Sequence, residues 1–375
     1  MYILFILLGA MLLYVLQFQI FKHHWEKGLS LELHFSSNHA MEDEELNLTE
    51  TIINQKLLPL PILRVKFTLS RNLIFSDSPN SNVSDNFYRD DLLSILMYQK
   101  LTRTLSFRCS HRGYYRLDQA DLVINDIFMS VFLAKHIPLS EELFVYPKLL
   151  EDQEIELPFK TMLGTILTRR YYNEDPFEFA SIREYQTYDN MKDINWKASA
   201  KTGDLKVNVH DYTASQQVSI LLNLEKQTLL HRDTLMEESI RLAATYANAF
   251  INSGIPVALY TNGVDLRSKE PIILTAGSGT SHMDTINEGL SRIDLHETAS
   301  SFLTLIHPIL KKTTSQDYFL IISTYQKEDL QNRLLDLKQV HQDFSWVVPL
   351  DTQIQNEVCK DLEGNCFTYL MSEAS

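Results

Sequence analysis

The spacing of hydrophobic and charged residues divides the chain of 375 residues into parts of different character. The first part, residues 2–21, contains no charged residue and consists mostly of Leu, Ile, Phe and Met. As an α-helix it would be about 30 Å long, which matches the hydrocarbon core of a bilayer. We therefore predict a transmembrane helix over residues 1–22.

Positive charge is distributed unequally around this run. Lys22 and Lys27 follow it, and no lysine or arginine precedes it. Because positive charge favours the cytoplasmic side, we predict a single-pass protein of the cell membrane with its body in the cytoplasm. The inverted topology stays open, since so few charges define the orientation. A cleaved signal peptide is the other alternative, and it is disfavoured because no small-x-small cleavage site follows the run.

Apolar and polar residues alternate at period two within residues 28–150. In residues 29–35 and again in residues 63–69, every second residue is Leu, Val or Phe. Such alternation is typical of strands with one buried face. We therefore predict an antiparallel β-sandwich for this region. Residues 151–181, which have a mixed character, are predicted as a linker.

The pattern changes again in residues 182–375. Residues 218–224 form a continuous apolar run, which is typical of a strand buried on both faces in a parallel sheet. Residues 234–250 then show apolar positions at steps of three and four, which is typical of a helix, and Thr234 and Glu237 form a capping box at its start. The alternation of strands and helices predicts a doubly wound α/β domain. The further predicted elements are strands at 256–261, 318–323 and 345–350 and helices at 301–312 and 327–340.

Composition narrows the classes of function. The net charge of −14 argues against nonspecific binding of nucleic acid, because contacts to phosphates need a basic surface. The three cysteines, Cys109, Cys359 and Cys366, lack the paired spacing of a zinc site. We predict that each is a buried or idle thiol.

A metal site in such an α/β domain would place an Asp-x-Ser-x-Ser motif after the first strand, because a hard cation needs carboxylate and hydroxyl oxygens. The corresponding run, residues 223–227 of sequence NLEKQ, lacks both hydroxyls. We therefore predict no metal and no cofactor, and weak contact with a cation through Glu225 stays open. Residues 277–280 lack the Gly-Lys-Ser/Thr ending of a phosphate loop and are predicted as a flexible connection.

Residues 182–210 combine residue types that seldom occur together. They contain an Arg-x-Tyr pair, a following Asp and an Ile-x-Trp-Lys-x-Ser-Ala-Lys run, closed by a Thr-Gly turn signal. This signature resembles that of a bacterial family called domain of unknown function 58. The candidate partner-binding residues in it are Arg183, Tyr185, Asp189, Asp193, Ile194, Trp196, Lys197, Ser199, Ala200, Lys201 and Gly203.

The resemblance implies an amino-terminal β-domain and a carboxyl-terminal half similar to a von Willebrand factor A domain. It also implies partners, because members of this family are generally encoded with AAA+ ATPases of the MoxR class and often near transglutaminase-like membrane proteins. An Arg-Gly-x-Tyr element at 112–115 and a Val-Tyr-Pro element at 145–147 match further landmarks. The chain departs from the family in two respects: residues 125–128 lack the Pro and Gly of the family's turn, and one apolar helix stands where two are usual.

These observations predict a non-catalytic, membrane-anchored binding or assembly protein, which acts as an adaptor for a MoxR-type AAA+ ATPase in the maturation of membrane or envelope complexes. Two alternatives stay open: a hydrolase that uses Asp189, Asp193 or His210, and a metal-dependent adhesion protein outside the cell. Within the signature, Trp196 is either the anchor of a protein interface or, together with Ile194, part of the internal packing.

Overall fold

The chain divides into two compact units, Met1–Lys148 and Leu149–Ser375, which we call the β unit and the α/β unit. The division lies close to the boundary predicted at residue 150. The structure is a computed structural model. The residues that it describes are 2–76, 81–83, 86–125, 132–151, 153–172, 179–186, 191–210, 217–226, 233–312, 317–351 and 356–371.

The β unit begins with helix α1, Tyr2–His24. In the described part of the chain it is the one helix that is long and apolar enough to cross a membrane, a property that signal sequences share. Its apolar stretch is not buried by the rest of the chain. The last turn differs, because Phe21, and Trp25 just beyond the helix, are buried in the core of the β unit. The helix therefore projects from the domain to which its end is fixed.

Two β-sheets enclose the core of the β unit. Their strands, within the described residues, are β1 Leu29–Phe35, β2 His39–Met41, β3 Glu45–Asn54, β4 Leu60–Ser70, β5 Leu73–Phe75, β6 Ser81–Val83, β7 Asn86–Ile95, β8 Lys100–Cys109, β9 Gly113–Asn125 and β10 Phe132–Tyr146. One sheet has the order β1-β3-β8-β5 and the other the order β2-β10-β9-β4-β7-β6. The predicted strands at 29–35 and 63–69 are confirmed, with alternate residues buried. β10 pairs with β2 in parallel, which corrects the prediction of a purely antiparallel arrangement.

The α/β unit contains one large sheet and a separate hairpin. Its elements are α2 Gln153–Tyr172, β11 Phe179–Glu184, α3 Trp196–Thr202, β12 Lys206–His210, β13 Val218–Asn223, α4 Asp233–Asn252, β14 Val257–Asp265, β15 Pro271–Gly277, α5 Thr280–Ser291, β16 Ile293–Asp294, α6 Phe302–Lys312, β17 Tyr318–Ser323, α7 Glu328–Gln339, β18 Phe344–Leu350 and β19 Cys366–Leu370. The large sheet has the order β15-β14-β13-β17-β18-β19, and β16 pairs with β14. Its central pairs are parallel, whereas β15 is antiparallel to β14. This arrangement is consistent with a Rossmann-like or von Willebrand factor A-like domain.

Helices cover both faces of the large sheet. Along β13, Val218 and Ile220 belong to a hydrophobic cluster with residues of α4 and α5, whereas Leu221 belongs to a second cluster with residues of α6 and α7. Successive strand residues point to opposite faces, so the sheet is buried on both sides, as its continuous apolar run predicts. The predicted strand at 318–323 and the predicted helix at 327–340 are confirmed to within one residue at each end.

In place of the linker predicted for residues 151–181, the structure has helix α2. Its residues Ile155, Met162 and Ile166 are buried in the same cluster as residues of α4. Most of this segment therefore belongs to the α/β unit. The predicted connection at 277–280 is a tight turn from β15 into α5. Of the turn expected at 125–128, residues 126–128 lie outside the described residues.

Candidate functional site

The signature residues form a small hairpin with a helix in its connection. β11 and β12 pair antiparallel, with Arg183 opposite Val207 and Glu184 opposite Lys206. Helix α3 follows a short 3-10 helix between the two strands. Ile194, just before α3, forms an isolated antiparallel bridge with Val207. The connection is therefore held against β12.

Asn195 fixes the start of α3. Its Oδ1 accepts a hydrogen bond from the backbone N–H of Ala198 at 2.9 Å, which is the geometry of an N-cap. Its Nδ2 donates to Oδ1 of Asn208 at 2.7 Å, and its backbone N–H donates to the carbonyl of Lys206 at 2.8 Å. One residue thus starts the helix and also attaches it to β12.

Ser199 and Gly203 complete the attachment of α3. The buried hydroxyl of Ser199 accepts from the backbone N–H of Lys206 at 2.8 Å and donates to the carbonyl of Asn195 at 2.8 Å. Gly203 has a φ of 82°, and its N–H donates to the carbonyl of Ser199 at 2.9 Å. A residue with a Cβ would be strained in this left-handed C-cap, which accounts for the glycine of the signature.

The two large apolar residues of the signature lie in opposite environments. Ile194 is buried, as is its bridge partner Val207, whereas Trp196 is 65% exposed. Internal packing therefore explains why residue 194 is apolar. It does not explain the exposed indole of Trp196. The indole is free to contact another molecule.

Four of the candidate residues share one exposed face of α3, which we call the α3 face: Trp196, Lys197, Ala200 and Lys201. At about 100° per residue, they lie within an arc of about 140°. All four are exposed. The face therefore places a large aromatic ring beside two ammonium groups.

The remaining candidate residues are arranged along the hairpin. Arg183 is exposed, and its Nη1 donates to the carbonyl of Glu184 at 3.0 Å. Tyr185 is half-buried directly after β11, and its backbone N–H donates to the carbonyl of Leu205 at 2.9 Å. The bond from Tyr185 extends the pairing of the hairpin beyond β11, and the bond from Arg183 holds its guanidinium against the next peptide.

The alternative of a hydrolase depends on Asp189, Asp193 and His210. Asp193 is half-buried in the 3-10 helix Met191–Asp193. Asp189 and the side chain of His210 lie outside the described residues. Among the described residues of this set, no nucleophile contacts a base.

The other location with predicted chemistry is the edge of the large sheet where β13 and β17 end. In doubly wound sheets, ligands bind in the crevice at the point where the strand order reverses. Here that point lies between β13 and β17, whose last residues, Asn223 and Ser323, are paired. Nδ2 of Asn223 donates to Oγ of Ser323 at 3.0 Å. The two strand ends are thus joined across the crevice.

Asn262, in β14, extends this contact into what we call the amide network, formed by Asn223, Asn262 and Ser323. Nδ2 of Asn262 donates to Oδ1 of Asn223 at 3.0 Å, and its Oδ1 accepts from the N–H of Leu224 at 2.8 Å. Oδ1 of Asn223 also accepts from the N–H of Glu225 at 2.9 Å. Because both acceptor positions of Oδ1 of Asn223 are used, this amide has no lone pair left for a cation.

Glu225 is the one residue whose sequence position leaves contact with a cation open. Its Oε2 accepts from the N–H of Phe302 at 3.2 Å, at the first residue of α6, where a negative charge is favoured by the helix dipole. Within the described residues, no group of three or more His, Cys, Asp and Glu side chains could hold a metal ion. Neutral amides and one carboxylate at a helix start fit a hard cation poorly.

Loss of hydration keeps the phenol of Tyr325 and the thiols of Cys109 and Cys366 protonated. Tyr325 donates to Oδ2 of Asp329 at 2.9 Å, and burial together with that contact raises the pKa of Tyr325 to about 12. Burial also raises the pKa of the Cys109 thiol to about 12 and that of the Cys366 thiol to about 12. These groups are therefore not nucleophiles at neutral pH.

Three asparagines that organise these sites were not identified from the sequence: Asn195, Asn208 and Asn262. Asn195 carried a usable signal, because an asparagine directly before a helix is a common N-cap. Asn262 carried a weaker one, since it closely follows a predicted strand. Its partner Asn223 is 39 residues away, and their contact depends on the order of strands in the sheet.

Comparison with known proteins assigns no family. No family model and no curated protein matches the chain. Among solved structures, it is similar to the CARDB domain of a Pyrococcus furiosus protein, with 12% identity, coverage of 32% of this chain and 90% of that chain, and a TM-score of 0.20. It is also similar to a GH20 exo-β-N-acetylglucosaminidase from Vibrio harveyi, with 9% identity, coverage of 92% and 79%, and a TM-score of 0.24. Scores this low carry no argument, so the resemblance to the domain of unknown function 58 family stays a prediction.

Proposed function

We propose that the chain is a membrane-anchored, non-catalytic binding protein that holds a partner protein through the α3 face. In this proposal α1 is a single-pass anchor in the cell membrane. The β unit is a β-sandwich, and the α/β unit is a von Willebrand factor A-like domain in the cytoplasm. The observation that carries the proposal is the exposed indole of Trp196, held on a helix that is capped at both ends.

The setting of Trp196 suits a protein interface. Burial of a large aromatic ring removes much apolar surface from water, and tryptophan is among the residues that most often dominate binding energy. The caps at Asn195 and Gly203 order the helix before any partner arrives. Less conformational entropy is then lost on binding, which favours affinity.

The charges of the α3 face indicate an acidic partner surface. Lys197 and Lys201 lie on the same face as Trp196, in a chain whose net charge is −14. Complementary charges around an apolar anchor raise the rate of association and disfavour wrong partners. The family resemblance favours a MoxR-class AAA+ ATPase as this partner, with maturation of a membrane or envelope complex as the task of the pair.

The edge of the large sheet supports a non-catalytic role. A metal-dependent adhesion protein would use a cation there, whereas the amide network satisfies its own hydrogen bonds. The network also joins the two strands between which a ligand crevice would open.

The proposal is tested by Trp196→Ala in the full chain, solubilised in detergent. Its affinity for the purified MoxR-class ATPase of the same organism is compared with that of the unchanged chain by calorimetry. We expect a loss of about tenfold or more, or about 1.4 kcal/mol, because truncation of a central aromatic anchor has effects of this size.

Val340→Ala is the matched control, because Val340 is another exposed apolar residue of the α/β unit, at the end of α7. It is expected to bind like the unchanged chain. Full binding by a folded Trp196→Ala variant would exclude the α3 face as the contact.

A further inference from the structure

The helix α1 leaves the β unit at a definable end of its two sheets. Leu29, the first residue of β1, pairs with Asn54, the last residue of β3. In the other sheet Leu60, the first residue of β4, pairs with Ile95, the last residue of β7. Nδ2 of Asn54 donates to the carbonyl of Leu96 at 2.9 Å, so the two sheets meet at this end. The loops that follow β3 and β7 therefore lie side by side.

The loop between β3 and β4 contacts the segment that leads out of α1. The N–H of Gln55 donates to the carbonyl of Gly28 at 2.7 Å, and Nζ of Lys56 donates to the carbonyl of Trp25. The loop between β7 and β8 is joined to it, because the N–H of Tyr98 donates to the carbonyl of Lys56 at 3.2 Å. Both loops thus lie next to the point where α1 leaves the domain.

These loops expose large apolar side chains. Phe132 belongs to the same end, because it pairs with Asn125, which pairs in turn with Ile62 near the start of β4. Each of these side chains is between 58% and 70% exposed. We call this set the rim: Leu57, Leu96, Met97, Tyr98 and Phe132.

The opposite end of the β unit has a different composition. Its described connections include residues 36–38, of sequence SSN, residues 71–72, of sequence RN, and residues 110–112, of sequence SHR. All of these residues are polar, as is usual for turns in water. Among the turns that the structure describes in the β unit, exposed apolar side chains at the tips therefore lie at the end that carries α1.

The segments around the rim are also basic. Residues 22–28, 55–59, 96–100 and 132–135 contain five lysines and a single acidic residue, Glu26. Nζ of Lys135 lies 3.8 Å from Oε2 of Glu26, so one of these lysines is partly balanced. A basic surface with aromatic and aliphatic side chains is typical of contact with anionic lipid headgroups.

We propose that the rim is a lipid-contacting surface, which lies in the headgroup region of the bilayer that holds α1. Met97 and Tyr98 enter the boundary between headgroups and acyl chains, and the exposed Lys22, Lys27 and Lys100 contact anionic headgroups. The inference rests on the proposed anchoring by α1. It adds that the β unit is seated on the bilayer at a fixed end, so that the membrane limits its orientation.

The test uses the full chain in nanodiscs that contain phosphatidylglycerol, with an environment-sensitive fluorescent amino acid at one position at a time. Position 97 reports on the rim, position 12 reports on α1, and position 71, at the polar end, is the matched control. We expect lipids with a headgroup nitroxide to remove most of the emission from position 97 and to leave position 71 unchanged.

The outcomes separate this inference from the proposed anchoring. Nitroxides on the acyl chains are expected to quench position 12. If position 12 is quenched but position 97 is quenched no more than position 71, the rim is not a lipid contact. The proposed anchor would still stand in that case. No quenching at position 12 contradicts the anchor itself. Equal quenching of position 97 in discs without anionic lipid would refute the role given to the lysines.

Discussion

Each unit buries a cluster of polar side chains, and the two clusters described here are of opposite kinds. In the β unit these groups are charged: Nε of Arg89 lies 2.5 Å from Oδ2 of Asp91, and both residues are buried. Nη1 of Arg103 lies 3.3 Å from Oδ2 of Asp91 and 3.4 Å from Oε2 of the buried Glu50. In the α/β unit the buried amide network contains no charge.

This difference predicts how the stability of each cluster responds to mutation and to pH. A buried charge requires its partner, and removal of one member leaves the other uncompensated. Oε1 of Glu50 has no hydrogen-bond partner among the described residues, and burial raises the pKa of Glu50 to about 7. The amide network has no titratable member. We therefore expect Glu50 to contribute to the pH dependence of stability and the amide network to contribute nothing to it.

The largest expected effect is that of Arg89→Met. This change leaves Asp91 buried without its closest positive partner, and a loss of about 3 to 5 kcal/mol in the free energy of unfolding is typical of a broken buried pair. The measurement is urea unfolding in detergent. Arg64→Met is the control, since Arg64 pairs with Asp90 at 2.6 Å near the surface and should cost about 1 kcal/mol or less. Equal effects of the two changes would contradict the comparison.

The next effect is the pH dependence carried by Glu50. Its pKa is raised from 4.5 to about 7 in the folded chain, so its contribution to stability is present below pH 4.5 and is lost as the pH rises through 7. The shift corresponds to about 3 kcal/mol at most. Glu50→Gln should remove this component, so that unfolding free energies at about pH 5 and about pH 8 differ less than in the unchanged chain. An unaltered pH profile would show that Glu50 does not titrate in this range.

A smaller loss is expected when the amide network is broken. Asn262→Ala leaves the N–H of Leu224 and Oδ1 of Asn223 short of a partner, which should cost about 1 to 3 kcal/mol. Unlike the change at Glu50, this loss should be the same at acid and neutral pH. Asn332→Ala, at an exposed position in α7, is the control and should stay within about 0.5 kcal/mol.

The smallest effect on stability is expected on the α3 face. The double variant Lys197→Glu and Lys201→Glu removes no buried contact, so its free energy of unfolding should change by about 0.5 kcal/mol or less. Its rate of association with an acidic partner should nevertheless fall, and more strongly at low salt. Stopped-flow measurements at two salt concentrations check this, and a rate that is independent of salt would argue against an acidic partner surface.

Most of the regular elements could be predicted from local patterns. The alternation in β1 and β4 and the continuous apolar runs of β13 and β17 identify their faces directly. Helix α2 was missed because its buried residues, Ile155, Met162 and Ile166, are separated by polar and exposed positions and by the internal Pro158. The edge strand β15 was missed because Ile273 within it is exposed, so no buried face is evident in its sequence.

The candidate sites were predictable to different degrees. The signature identified Trp196 and its neighbouring lysines, because they adjoin one another in the chain. The amide network depends on which strands become neighbours, and only the fold brings Asn223 next to Asn262 and Ser323. The separation of Trp196 from Ile194 likewise depends on the attachment of α3 to β12 by Asn195.

The central claim, that a partner protein binds the α3 face, is tested most directly by photo-crosslinking in membranes. A photo-reactive amino acid at position 200 lies among Trp196, Lys197 and Lys201 and leaves them unchanged, and the same group at position 340 is the control. The account predicts a specific adduct with the MoxR-class ATPase from position 200 and none from position 340. No adduct from position 200, or equal adducts from both positions, would contradict it.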